Sequence, residues 1–324
     1  MNARAEAVAR LAGRYDARVL EPSPPAVREP PWFADDPVGR EEAPSGPPRV
    51  CPVAGCDLRW GDLLAEDPAL AGWCSERWLA AYRRLEAVPA GLAATREALH
   101  RLAEHVISPA RQHANGKIGL RFTRGGFGTP FFAHDVQLRV AGDQLIVQTG
   151  ERERSARITT LAQTAAYVGT ELLPEAIADP GPLDVDPEAS AFLGHWFGFG
   201  ASVLEELRAG AADELEPSRV QLWPEHFDLS VELGAEREGS RAGYGVSPGD
   251  ELHAEPYLYV VPWKEVPAGE LWQATAFRGA ELSYAALLAH PRSAGEDARS
   301  DAEVQRETAL HFLRERLTAL TGRR

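Results

Sequence analysis

The hydrophobic period of this chain changes four times, and that alternation limits the architectures open to it. Leu92, Leu99, Leu102 and Val106 recur at helical spacing, one apolar stripe on a helix. From Ile118 the period falls to two. Ile118, Leu120 and Phe122 alternate with Lys117, Arg121 and Thr123, and Val136, Leu138 and Val140 alternate with Asp135, Gln137 and Arg139. Ala141–Gly142–Asp143 is a short turn, and the strand pattern returns over Leu145–Thr149, which makes a β-hairpin. Helical spacing resumes after Thr160, alternation resumes near His226, and a helical pattern closes the chain. No helix separates single strands, so a doubly wound parallel sheet is excluded. The expectation is an α+β fold with an antiparallel sheet built from two strand groups, at about 117–149 and 219–263. Its helices pack on one face, and its N- and C-terminal segments are helical.

Start and stop signals sharpen this reading. Thr160 and Gln163 form a capping box ahead of Leu161, Ala165, Val168 and Leu172. Asp186–Pro187–Glu188 supplies an N-cap, a proline at the first helical position and an acid in the first turn. The helix it opens carries Phe192, Trp196, Phe199, Val203 and Leu207, with Gly210 placed to stop it. Ser300 and Glu303 read as a second capping box, and Ser108–Pro109 as a helix end. Residues 1–56 are Pro-rich and read as a partly extended segment, and 57–324 as a single α+β domain.

Composition excludes several functions. The net charge of −14 argues against nucleic-acid binding through phosphates. Over Glu171–Glu255 there are 19 Asp and Glu against 4 Arg, so one region is strongly acidic, either a solvated surface that keeps the protein soluble or one that attracts a cation or a basic partner. The longest nearly uncharged run, Ala191–Leu204, spans 14 residues, short of the roughly 20 that cross a bilayer. The N-terminus lacks an apolar signal core, so a cytoplasmic location is expected. Three cysteines, Cys51, Cys56 and Cys74, are too few for a disulfide framework, and their spacing does not suit zinc.

Two stretches carry the candidate chemistry. In LWPEHFDLS, alternation puts Phe227, Leu229, Val231 and Leu233 on one strand face, with His226, Asp228, Ser230 and Glu232 on the other. In ELHAE, an extended backbone would put Glu251, His253 and Glu255 on one side. If the two strands are neighbours, His226, Asp228 and His253 meet, as N/O ligands of a divalent metal or as a metal-free acid/base set. The bland alternative is an ordinary polar strand face. A third stretch, RGGFGTP at Arg124–Pro130, reads as a sharp connection or a flexible lip, since no helix follows to make a phosphate loop. His195, set among Phe192, Trp196 and Phe199, reads as a core histidine.

LHRLAEHVISPARQHANGKIGL, RFTRGGFGTPFF, LWPEHFDLS and GYGVSPGDELHAEPYLYVVPW occur in series. The series resembles an uncharacterised bacterial family, a domain of unknown function, over about Leu99–Trp263. The likeness implies one domain across both strand groups and no activity. The functional expectation is therefore a small-molecule-binding protein with a cleft near the second strand group. Phe127, Tyr244, Tyr257, Tyr259, Glu251 and Glu255 are its candidate ligand contacts. The alternative is a metal-dependent or His/carboxylate enzyme working through His226, Asp228 and His253.

Overall fold

The computed structural model describes residues 84–322, apart from 124, 131, 133–135, 150–151 and 290–297. The Pro-rich segment, the three cysteines and the helical pattern before residue 84 lie outside the described residues. The α+β reading holds. Among the described residues, ten antiparallel strands form two five-stranded sheets, one from each strand group. The first contains β1 (Arg121–Thr123), β2 (Gly126–Gly128), β3 (Val136–Ala141), β4 (Gln144–Thr149) and β5 (Arg152–Arg157) as a simple meander. The second contains β6 (Gln221–Trp223), β7 (Asp228–Leu233), β8 (Ala242–Ser247), β9 (Tyr257–Pro262) and β10 (Ala280–Ser283), also a meander. The sheets touch edge to edge through one bridge, in which Leu120 and Leu222 exchange backbone hydrogen bonds of 2.7 and 2.8 Å.

Helices precede, separate and follow the strand groups: α1 (Leu92–Leu102), α2 (Ser108–Asn115), α3 (Leu161–Val168), α4 (Pro187–Ala209), α5 (Tyr284–Leu288) and α6 (Ala298–Thr321). Helix α4 is the central packing element. Leu193, Trp196, Phe197, Phe199, Val203 and Leu204 along it are at most 1% exposed, and it packs against strands of both sheets. Its start is the one the sequence marks, with Asp186 Oδ1 accepting from Ala189 N at 2.8 Å. The Thr160 cap on α3 also forms, accepting from Gln163 N at 3.1 Å. Helix α6 spans Ala298–Thr321, so the backbone of Ser300 lies within the helix.

One helix expectation fails for a local reason, and one loop expectation holds in part. Ser108–Pro109 does not end a helix. Residues Ala103–Ile107 form a π-helical turn joining α1 to α2, and Pro109 falls in the first turn of α2, where its missing N–H costs nothing. The glycine-rich RGGFGTP is the sharp connection its glycines predict, since β1 turns straight back into β2 with Thr123 opposite Gly126, but Gly126–Gly128 is itself strand rather than a lip. A Cβ on Gly126 or Gly128 would strike the carbonyls of Val140 or Leu138, and one on Gly194 of α4 would strike that of Gly125. The glycines let backbone pack on backbone.

Candidate functional site

The second sheet has two unlike faces, set by its register. Leu229, Val246 and Leu258 form one cross-strand row and Val231, Tyr244 and Val260 the next; both face α4 and are at most 1% exposed. The opposite face carries Asp228, Ser247 and Tyr257, then Ser230, Gly245, Tyr259 and Glu281, then Glu232, Gly243 and Val261. This outer face is the floor of a cleft of about 840 Å³. Helix α1 supplies one wall through Arg96, Glu97 and His100. The loop Gly249–His253 and the segment at Ala276–Phe277 supply the others.

A glycine shapes the middle of the floor. Gly245 lies directly opposite Tyr259, and a Cβ there would strike the hydroxyl end of the phenol ring. With that space empty, the ring lies across β8 and its hydroxyl donates to Asp228 Oδ2 on the next strand. Asp228 is only 6% exposed, and its second oxygen, Oδ1, has no partner. Burial raises the Asp228 pKa above the usual carboxylate range, against the lowering by the Tyr259 hydroxyl and the nearby His226. Burial beside that carboxylate in turn pushes the Tyr259 hydroxyl well up.

The turn before Asp228 is strained. Pro224–Phe227 is a turn rather than strand, so His226 is not on the strand face that sequence alternation predicts. Phe227 has φ 54°, a left-handed conformation that non-glycine residues rarely adopt. Its ring is 1% exposed and packs edge-on against Phe127 and Phe197, with centroids 5.0 and 5.3 Å away. His100 of α1 stacks over it at 5.5 Å and 9°. Burying Phe227 turns the chain so that His226 is left exposed at the cleft rim while Asp228 enters the floor. Strain of this kind concentrates at functional sites.

The loop after β8 is organised by a residue that the sequence reading passed over. Asp250 Oδ1 accepts from the backbone N–H of Leu252 at 2.7 Å and of His253 at 2.8 Å, and contacts His253 Nδ1 at 3.0 Å. Its Oδ2 accepts from the Tyr257 hydroxyl at 2.7 Å. Burial works to raise the Asp250 pKa, but these donors outweigh it and hold the carboxyl below its ordinary range. His253 Nε2 lies 3.3 Å from Glu281 Oε2, and the imidazole ring sits 4.2 Å from the Tyr257 ring. A neutral imidazole donates from one nitrogen only, so both contacts are hydrogen bonds when the ring carries both protons. The His253 ring is thus committed to holding the loop.

Helix α1 adds two further polar atoms. Arg96 Nη2 donates to Asp250 O at 3.2 Å, while Nη1 is buried without a partner. His100 Nε2 is also buried and unpartnered. The π-helical turn follows directly and brings Glu104 to the cleft. Such turns recur at functional sites because they re-aim side chains.

Several candidate residues therefore change place. His226, Asp228 and His253 do line one cleft, together with Tyr257, Tyr259 and Glu251. They are not gathered as a ligand set: among the described residues, no three His, Cys, Asp or Glu side chains are grouped to hold an ion. The reason is local, since His226 leaves the strand at the turn and His253 is tied to Asp250 and Glu281. ELHAE is an irregular loop, not a strand, so Glu255 is exposed and does not line the cleft. Tyr244 faces α4 and Phe127 lies in the core between Phe197 and Phe227, so neither reaches a ligand. His195 is exposed on α4 rather than buried. The residues missed, Arg96, His100, Asp250, Phe277 and Glu281, carry no local motif. Only the periodicity of α1, which places Arg96 and His100 four residues apart, hints at two of them.

Comparison with family models, with curated proteins and with solved structures finds no match for this chain. The reading of the cleft rests on its own chemistry.

Proposed function

We propose that this protein binds a small polar organic molecule in the cleft above the outer face of its second sheet. The observation that carries the reading is that three side chains lining one concavity, Asp228, Arg96 and His100, each hold a buried polar atom without a partner: Oδ1, Nη1 and Nε2. Buried polar atoms without partners are costly, and a ligand that offers both donors and acceptors would satisfy them. The apolar part of such a ligand has the Tyr257 and Phe277 rings to lie against. Leu252 at 74% and Trp263 at 50% are the most exposed large hydrophobic residues among those described, and both flank this cleft. An occupant would cover them.

Gly243 provides the test. It lines the cleft, and a Cβ there meets nothing within 4 Å. A thermal-shift screen of a metabolite library with the wild type and with Gly243→Leu is expected to find compounds that raise the melting temperature of the wild type alone. Hits that stabilise both proteins equally would overturn the cleft as their site.

A second reading, general acid/base catalysis, is supported by the raised pKa of Asp228 in a cleft shared with His100 and His226. Turnover of an identified ligand that is lost in Asp228→Asn while binding persists would favour it. Binding without turnover would favour the first reading.

A further inference from the structure

The cleft is unequal in charge. Glu97, Glu104, Glu225, Asp228, Asp250 and Glu251 line it, against the guanidinium groups of Arg96 and Arg101. Arg101 is paired with Asp179, and Arg96 is anchored to the carbonyl of Asp250. The acids at the rim (Glu97, Glu104, Glu225 and Glu251) are exposed, whereas Asp228 lies at the floor, nine-tenths buried and with Oδ1 unpartnered. Exposed carboxylates around a deeper one concentrate cations at the mouth and favour their transfer inward.

Two more features select among cations. Asp228 Oδ2 already accepts the Tyr259 hydroxyl, so the carboxylate needs a donor only at Oδ1. One N–H of an ammonium group meets that need, and a metal ion would want further ligands that are not grouped here. The walls are aromatic, with Tyr257 and Phe277 beside the floor and Trp263 at the rim. Trp263 already holds a cation, since the Arg241 guanidinium carbon sits 5.2 Å from its ring centroid. Aromatic faces beside carboxylates suit an organic cation better than an anion or a neutral polyol.

We infer that the ligand is a small organic amine whose ammonium group is bound by Asp228 Oδ1, with Tyr257 and Phe277 against its carbon frame. This rests on the reading of the cleft as a small-molecule site and names the class that site takes. An oxygen on the same ligand is within the chemistry of Arg96 Nη1, a donor that is also without a partner. Among such amines the cleft favours those that also carry a hydroxyl, carbonyl or carboxylate.

The test uses primary amines, alcohols and carboxylates built on the same ethyl, benzyl, phenethyl and 4-hydroxyphenethyl frames. Binding of each to the full chain is measured by ligand-observed NMR and calorimetry. The amines are expected to bind at least about tenfold more tightly than their matched alcohols and carboxylates, a difference of about 1.4 kcal/mol. Asp228→Asn is expected to remove that preference while leaving alcohol binding in place. Glu97→Gln with Glu251→Gln, both at exposed positions, is expected to weaken amine binding several-fold and to flatten its salt dependence. If alcohols or carboxylates match the amines, and Gly243→Leu abolishes their binding, the amine assignment falls and the small-molecule reading stands. If no compound of any class binds at millimolar concentration, the small-molecule reading falls as well.

Discussion

Tyr259 on β9 reaches across Gly245 on β8 to donate its hydroxyl hydrogen to Asp228 on β7, so one side chain ties three strands together over a glycine. The contact gives a buried carboxylate its one side-chain hydrogen bond among the described residues and leaves its other oxygen buried without a partner. Removing the donor leaves Asp228 buried with neither oxygen satisfied by a side chain. Tyr259→Phe is expected to destabilise the protein by about 1–3 kcal/mol at neutral pH, read from urea unfolding. The loss shrinks in acid, where the carboxyl is protonated and burial no longer opposes a charge.

Asp228 and Asp250 should respond to pH with opposite signs. The folded pKa of Asp228 is raised, so its contribution is fully present below the unfolded value and is lost as pH rises through the folded value. Asp228→Asn, which keeps an acceptor for Tyr259, should therefore raise the melting temperature at pH 7 and lose that advantage near pH 3. The folded pKa of Asp250 is lowered, so its contribution is present above the unfolded value and is lost as pH falls through the folded value. Asp250→Asn should lower the melting temperature at pH 7 and converge on the wild type in acid. Parallel rather than opposite pH trends in melting scans would contradict both assignments.

Two glycines on the same strand face make a paired control. Gly245→Ala puts a methyl group into the Tyr259 ring, displaces the hydroxyl from Asp228, and is expected to cost about 1–3 kcal/mol. Gly243→Ala meets nothing within 4 Å and is expected to change stability by less than about 1 kcal/mol, because alanine lowers the entropy of the unfolded chain. Denaturant midpoints of the two variants check the contrast.

Metal removal should leave the fold untouched. His226, Asp228 and His253 are not grouped as ligands, so dialysis against EDTA and addition of zinc or manganese are each expected to leave the melting temperature unchanged. A chelator-sensitive transition restored by one of these ions would overturn that arrangement.

His253 is expected to act on the loop rather than on chemistry. His253→Ala removes the contacts to Asp250, Glu281 and the Tyr257 ring, and should speed backbone amide exchange over 249–255. Exchange in the core strand β7 should stay as in the wild type.

Much of this architecture is local and was therefore readable from sequence. The alternation of Val136–Val140 and Leu145–Thr149 dictates a hairpin because side chains alternate along a strand whatever surrounds it. The Thr160 and Asp186 caps depend on atoms three residues away, and both form. The strand nature of Gly126–Gly128 escaped for the opposite reason, since glycines carry no side-chain alternation to read and the close fit against Gly194 of α4 is tertiary.

The cleft divides in the same way. The sequence by itself determined that ionisable and aromatic side chains crowd LWPEHFDLS and the stretch from Gly249 to Trp263, and that the region is acidic. Only the tertiary structure decided their roles. Burial of Phe227 against Phe127 and Phe197 turned His226 out and Asp228 in, and register placed Tyr259 opposite Gly245. The packing of α1 then brought Arg96 and His100 over the floor. A sequence records which groups are present within a few residues; which of them share a cavity depends on packing between segments from 31 residues apart, as for Asp228 and Tyr259, to 154 apart, as for Arg96 and Asp250.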